Sequence, residues 1–211
     1  VQKRTDGLST FLVDLREVRG KGCDIRPIPT MINHNTNEVF FNDMRIPADS
    51  LIGVEGAGFK NILAGMNAER VLIASEALGD GRYFIRRGVE YANERAVFGN
   101  PIGKNQGIAH PLAHAYAELE AAELMVRKAA ALYDAGEDCG EAANIAKLVT
   151  SEAAWNAADH CFQTFGGFAF AREYHIERKW REVRLWQTAP ISTNMVLNFI
   201  AQNVLGLPRS Y

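Results

Sequence analysis

From Gln106 to Tyr133 the apolar residues recur as Ile108, Leu112, Ala115, Leu119, Ala122, Val126, Ala129 and Tyr133, alternately four and three positions apart. That spacing keeps every one of them on a single stripe of a helix, and a stripe this long must be buried against other helices. It is the seam of an antiparallel bundle, and it ends at Asp134-Ala135-Gly136, where the glycine provides a helix stop. Three further helices follow from the same pattern. One runs from Phe59 to about Arg95, with Gly79 and Gly81 as weak points of ~1 kcal/mol each relative to alanine. Another runs from about Glu141 to Phe165, with an apolar face of Ile145, Leu148, Trp155, Ala158, Phe162 and Phe165. Asp138 and Glu141 make its capping box, and Gly166-Gly167 stops it. The last starts near Ser192, a natural N-cap after Pro190, and extends to Asn203. Alanines on the seams let the axes approach closely.

Before residue 55 the pattern is different. Ser9–Leu15, Asp24–Ile28 and Asn37–Asp43 read as strands, separated by turn residues at 19–22 and 33–36. Three strands with one apolar face each are not a comfortable unit and call for a sheet partner. The fold class is therefore mainly α: a partial β-domain of about three strands over 1–54, then an up-down four-helix-bundle-type domain over 55–211. The chain begins at Val1 with no methionine, which reads as a piece of a longer parent protein.

Charge and composition exclude several classes. The 211 residues carry 23 Lys and Arg against 25 Asp and Glu, a formal charge of −2, so no basic surface is expected for nucleic acid or membrane. No apolar run approaches the ~20 residues that span a bilayer, and no secretory leader is visible. Three scattered cysteines, Cys23, Cys139 and Cys161, have neither metal nor redox spacing and suit a reducing compartment, cytoplasmic or the mitochondrial matrix.

Five polar groups stand out from the packing pattern. Asn67-Ala68-Glu69-Arg70 interrupts the first long helix, and by itself reads as a solvated face. Arg95 closes that helix, where a cation suits the dipole, or where a guanidinium reaches an anionic ligand. Asn105-Gln106 caps the next helix or donates to a ligand. Gln163-Thr164-Phe165-Gly166-Gly167 ends in a double glycine that lets backbone approach a flat ligand or another chain. Ser192-Thr193-Asn194 adds a cap with spare hydroxyl and amide groups.

In this order, the motifs ERAVFG (94–99), QTFGGFAF (163–170) and KWREVR (179–184), preceded by Gly53-Val54-Glu55-Gly56-Ala57-Gly58-Phe59, resemble the acyl-CoA dehydrogenase family. The resemblance covers nearly the whole chain, from the second half of the family's middle β-domain through its C-terminal helical domain. It implies FAD bound between subunits of a homodimer or homotetramer. Arg95, Ala96 and Val97 match the segment whose arginine meets the flavin diphosphate. Asn105 and Gln106 match a cofactor-touching pair. Gln163, Thr164, Phe165, Gly166 and Gly167 match a backbone stretch along a neighbouring subunit's cofactor, and Ser192, Thr193 and Asn194 match the last flavin contact.

Most family members carry a catalytic glutamate where this chain has Pro190, which has no basic group. A minority, including isovaleryl-CoA and long-chain enzymes, place it on the long helix before an arginine, and Glu69-Arg70 matches that arrangement. The resemblance thus implies Glu69 as the base that abstracts the α-proton of an acyl-CoA thioester while the β-hydride goes to flavin. Asn67 and Arg70 fall on substrate-side positions, and electron-transfer flavoprotein is the implied acceptor. No metal is expected. Such a base works best with its pKa raised by burial, which closure by acyl chain and flavin is expected to supply. The competing readings are a non-catalytic helical oligomerisation module, which Pro190 favours, and an acyl-CoA oxidase that passes electrons to oxygen.

Overall fold

The computed structural model describes residues 7–209, so the first six residues of the expected β-domain lie outside it. The chain divides into two compact units, one running to Met66 and the other from Asn67 onward.

The first unit holds two antiparallel ladders. β1 (Thr10–Phe11) pairs with β4 (Leu51–Ile52), and β2 (Cys23–Ile28) pairs with β3 (Thr36–Phe41), Cys23 opposite Phe41 and Ile28 opposite Thr36. A single turn, α1 (Leu15–Val18), is capped by Asp14, whose carboxylate accepts from the Arg16 amide at 2.9 Å. Val18 and Cys23 are buried here, whereas Leu12, Val39, Phe40 and Phe41 remain exposed. The unit thus displays the unpartnered apolar strand surface that the sequence pattern implies. The expected first strand is shorter than its apolar run, because Asp14 turns the chain into α1.

The second unit is the helical bundle. α2 (Gly58–Glu94) contributes most of its length, and the boundary between the units falls within it. α3 (Gln106–Asp134) buries Leu112, Ala115, Leu119, Ala122, Val126 and Ala129, the interior of the predicted seam, while Tyr133 at its end is exposed. α4 (Gly140–Phe165) buries fourteen side chains, most of them small. Its deepest positions are Ala143, Ala146, Ala154, Ala157, Ala158 and Cys161, whereas Ile145, Leu148 and Trp155 of the predicted face are only half-buried. The small side of α4 meets its neighbours closely, and the large side chains fill the rim. Asp138 does cap this helix, one residue off the predicted register: its Oδ1 accepts from the Gly140 amide at 2.9 Å.

Two elements are absent from the sequence reading. β5 (Ala96–Val97) and β6 (Asn100–Pro101) form a small hairpin whose tip, Phe98-Gly99, has positive φ at both residues. α5 (Ile176–Val183) packs Ile176 and Val183 into the main core. It is joined to α2 by Asp80, which pairs with Lys179 at 2.5 Å and accepts from Trp186 Nε1 at 2.8 Å. α6 (Thr193–Phe199) is capped by Ser192 as predicted and widens into a π turn over Ile200–Val204.

Gly79 and Gly81 have different roles. A Cβ on Gly81 would collide with Leu119 and lie 3.3 Å from the Ala154 Cα, so α2, α3 and α4 converge at this residue. A Cβ on Gly79 meets nothing. Gly79→Ala should therefore stabilise by ~0.5–1 kcal/mol through helix propensity. Gly81→Ala should destabilise by ~1–3 kcal/mol through overpacking, despite the same propensity gain. Urea unfolding of the two variants measures the opposite signs.

Candidate active site

The turn Asn67–Arg70 lies near the start of the bundle's first helix. Asn67 Oδ1 accepts from Arg70 Nη1 at 2.9 Å, and the Arg70 side chain is buried with its Nε left without a partner. On α4, Lys147 is 1% exposed and donates from Nζ to the Ile191 carbonyl at 2.6 Å. Arg70 is close enough to Lys147 to repel its charge. Arg70 thus acts on Lys147 through its charge alone, while Lys147 is bonded directly to Ile191, the residue before Ser192. Glu69 itself is exposed on this chain, and takes no side-chain hydrogen bond among the described residues.

The electrostatics follow from burial. Removal from water pushes the Arg70 guanidinium below its usual range, opposed by the nearby Glu69. Burial, reinforced by Arg70, pushes the Lys147 ammonium down to about 8, and Glu152 acts weakly against it. Asn144, one turn before Lys147, is also buried, with its amide donating to the Gly140 carbonyl at 2.8 Å and its Oδ1 unpartnered.

Ser192, Thr193 and Asn194 line a cavity of about 260 Å³ with Glu152, Arg184, Gln187 and Thr188. Ser192 Oγ accepts from the Met195 amide at 3.4 Å, and Thr193 Oγ1 donates to the Gln187 carbonyl at 3.3 Å.

The remaining predicted residues gather at the other end of α2. Arg95 follows its last turn, exposed, with Ala96 and Val97 in the hairpin and Phe98 fully exposed at the tip. The Ile102 amide donates to the Arg95 carbonyl at 2.8 Å, and Asn105 Nδ2 donates to the Ile102 carbonyl at 3.1 Å, which brings Asn105 and Gln106 to the same end. Tyr91, one turn before Arg95, stacks on Phe165 at 4.1 Å, and this brings Gln163–Gly167 alongside. The Thr164 hydroxyl donates to the His160 carbonyl at 2.7 Å and the Phe165 ring is in the core, so this stretch offers chiefly backbone. Gly166 and Gly167 are exposed, with open space where a Cβ would stand. An apolar groove of about 430 Å³, lined by Val89, Ile108 and Leu112 among others, includes none of the predicted site residues.

Glu69 and Arg95 are thus 26 residues apart on one helix and its end, or ~39 Å along the axis at 1.5 Å per residue. Arg95–Val97, Asn105, Gln106 and Gln163–Gly167 gather at one end of α2, Asn67–Arg70 lie toward its other end, and Ser192–Asn194 adjoin Glu152 midway along α4.

Residues 56–205 match the model of the acyl-CoA dehydrogenase C-terminal domain. The chain belongs to the acyl-CoA dehydrogenase family. It is 48% identical over 176 residues to acyl-CoA dehydrogenase FadE12 of Mycobacterium tuberculosis (strain ATCC 25618 / H37Rv), covering 82% of this chain and 45% of that protein. Among solved structures it is similar to the glutaryl-coenzyme A dehydrogenase–glutaryl-CoA complex, with TM-score 0.91 and 27% identity over 98% of this chain and 52% of that one. It is also similar to PigA with FAD and proline, with TM-score 0.88 and 28% identity over 94% and 52%. The chain spans about half the length of these relatives.

The donor set fits a flavin dinucleotide. An exposed guanidinium at Arg95 suits a diphosphate, and the open backbone at Gly166-Gly167 admits a flat ligand closely. Sequence reasoning missed Lys147 and Asn144. Their signal was available: two polar residues three apart inside the alanine-rich run 142–154, where a helix buried on most sides leaves them no solvent.

Lys147 makes stability depend on pH. Below about pH 8 the ammonium is charged both folded and unfolded, and its burial penalty is fully felt. Between about 8 and the ordinary value of 10.5 the unfolded chain binds the proton and the folded chain does not, so stability rises with pH. The stability of the wild type relative to Lys147→Met should climb across that window, by no more than ~1.4 kcal/mol per pH unit. Urea unfolding at pH 7, 8, 9 and 10 checks this; a constant difference contradicts it.

Proposed function

We propose that this chain is the C-terminal portion of an FAD-dependent acyl-CoA dehydrogenase that introduces an α,β double bond into an acyl-CoA thioester. The observation that carries this reading is the family match over 56–205, and for the base it is Glu69 followed by the buried Arg70, which Asn67 holds. Pro190 leaves the usual base position without a carboxylate, and the resemblance offers Glu69 in its place, although the carboxylate lining the Ser192–Asn194 cavity is Glu152.

In this mechanism Arg70 and Asn67 fix the turn that bears Glu69, and orient the CoA-bearing end of the substrate. The Glu69 carboxylate takes the proton from the α-carbon. A bound FAD would supply the acceptor for the β-hydride, so that loss of the α-proton to Glu69 and of the β-hydride to flavin would leave the double bond. The acyl chain covers Glu69 and excludes water from the carboxylate. Arg95, Ala96, Val97, Asn105, Gln106 and Gln163–Gly167 would hold cofactor at one end of the bundle, and Ser192, Thr193 and Asn194 would hold it in the cavity beside Glu152.

The family resemblance supports a homo-oligomer, a dimer or tetramer, in which the exposed Gln163–Gly167 backbone lies along a neighbouring subunit's cofactor. Electron-transfer flavoprotein is the proposed acceptor. Among the described residues no helix is long and apolar enough to cross a membrane, and the proposed location is the cytoplasm, or the mitochondrial matrix in a eukaryote.

In the full-length protein, Glu69→Gln should retain acyl-CoA binding and lose flavin reduction roughly 100- to 10,000-fold under anaerobic conditions. Stopped-flow bleaching of the flavin band measures it, and bleaching at the wild-type rate removes Glu69 from the reaction.

A further inference from the structure

Lys147 is the least expected side chain in the bundle. It lies on a helix packed on most sides, it is among the largest fully buried side chains, and its Nζ donates to one acceptor, the Ile191 carbonyl. Arg70, on α2, adds a second buried positive charge beside it, and Glu152, one turn and a half along α4, offsets this only weakly. Among the described residues no carboxylate lies within ion-pair distance of Lys147. A helix and a loop can be joined more cheaply than this, since an apolar side chain of similar volume commonly replaces a buried charge with equal or better stability. What methionine cannot do is orient a carbonyl.

The orientation of the Ile191 carbonyl bears directly on Ser192, its neighbour in the chain. The peptide between Ile191 and Ser192 is planar, so a carbonyl turned inward to Lys147 turns the Ser192 N–H the opposite way. Ser192 is the N-cap of α6, and with Thr193 and Asn194 it lines the 260 Å³ cavity. One charge-assisted hydrogen bond, at the short end of its range, therefore sets both the direction of an amide donor and the start of a helix.

We propose that Lys147 is a positioning residue, locking the Ile191–Ser192 peptide so that the Ser192 amide and the polar groups of Thr193 and Asn194 face the cofactor. The inference rests on the proposed function for the identity of that cofactor, and on the structure alone for the locked peptide.

The test uses the full-length protein, with Lys147→Met and Lys147→Arg. Amide hydrogen exchange over 191–196 is read without added FAD, and FAD dissociation is followed by the rise in flavin fluorescence. Lys147→Met should lose protection in this segment and weaken FAD binding, each by at least about tenfold, the scale of a lost hydrogen bond to a charged group. Its urea midpoint should stay equal to or above that of the wild type at pH 7. Lys147→Arg, which keeps charge and donor, should recover most of both losses. Wild-type exchange and wild-type FAD retention in Lys147→Met overturn the proposal, as does an arginine variant no better than methionine. If Lys147→Met does not fold, Lys147→Gln replaces it, with the same outcomes deciding. Should the wild-type protein bind no FAD, the flavin reading fails, and exchange over 191–196 still decides the locked peptide.

Discussion

The close approach of α2, α3 and α4 at Gly81, Leu119 and Ala154 is the constraint on which the rest of the bundle depends. Three axes meet there because each helix presents a small residue or a single leucine. α4 is consequently enclosed, with Ala143, Ala146, Ala157 and Ala158 fully buried. The buried face of that helix cannot send polar side chains to solvent, so Asn144 and Lys147 must find partners inside, while Glu141, Glu152 and Asp159 on its other side are exposed. Asn144 turns back on its own helix at Gly140, and Lys147 crosses to Ile191. The packing of alanines thereby fixes where the loop before α6 can lie.

That loop links the packing of the bundle to its chemistry. Ile191 and Ser192 follow Pro190, the position where a carboxylate would serve in most of the family. The proposed substitute, Glu69, stands on α2 beside Arg70, and is exposed on this chain. In the proposed reaction its enclosure comes from substrate and cofactor. The chain spans about half the length of its relatives, and Val39, Phe40 and Phe41 are likewise exposed on it.

The sequence made the long elements legible where periodicity was strict. The seam of α3 is buried at its six interior positions, and its neighbours start and stop within a few residues of their caps and glycines. Periodicity failed on α4 because alanine has little weight as an apolar signal, although a small side chain is what the closest helix contact requires. It failed on α5 because eight residues with five charges read as surface, although Ile176, Val183 and Trp180 pack it against the core and Lys179 pairs with Asp80. The hairpin at 96–101 was hidden by Phe98, a bulky residue at positive φ. The candidate residues of the site were legible only as a set of motifs, since each reads separately as a cap, a stop or a solvated charge. Where they gather along the bundle, and the buried lysine bonded to Ile191, follow from helix packing that no local motif encodes.

The central claim is that one carboxylate, Glu69, moves the α-proton. Its most direct test is deuterium uptake at the α-carbon of an acyl-CoA incubated with the FAD-loaded full-length protein in heavy water, followed by mass spectrometry. The account predicts uptake with the wild-type protein, and loss of that uptake in Glu69→Gln with FAD still bound. Uptake that proceeds unchanged in the variant would contradict it and place the base elsewhere.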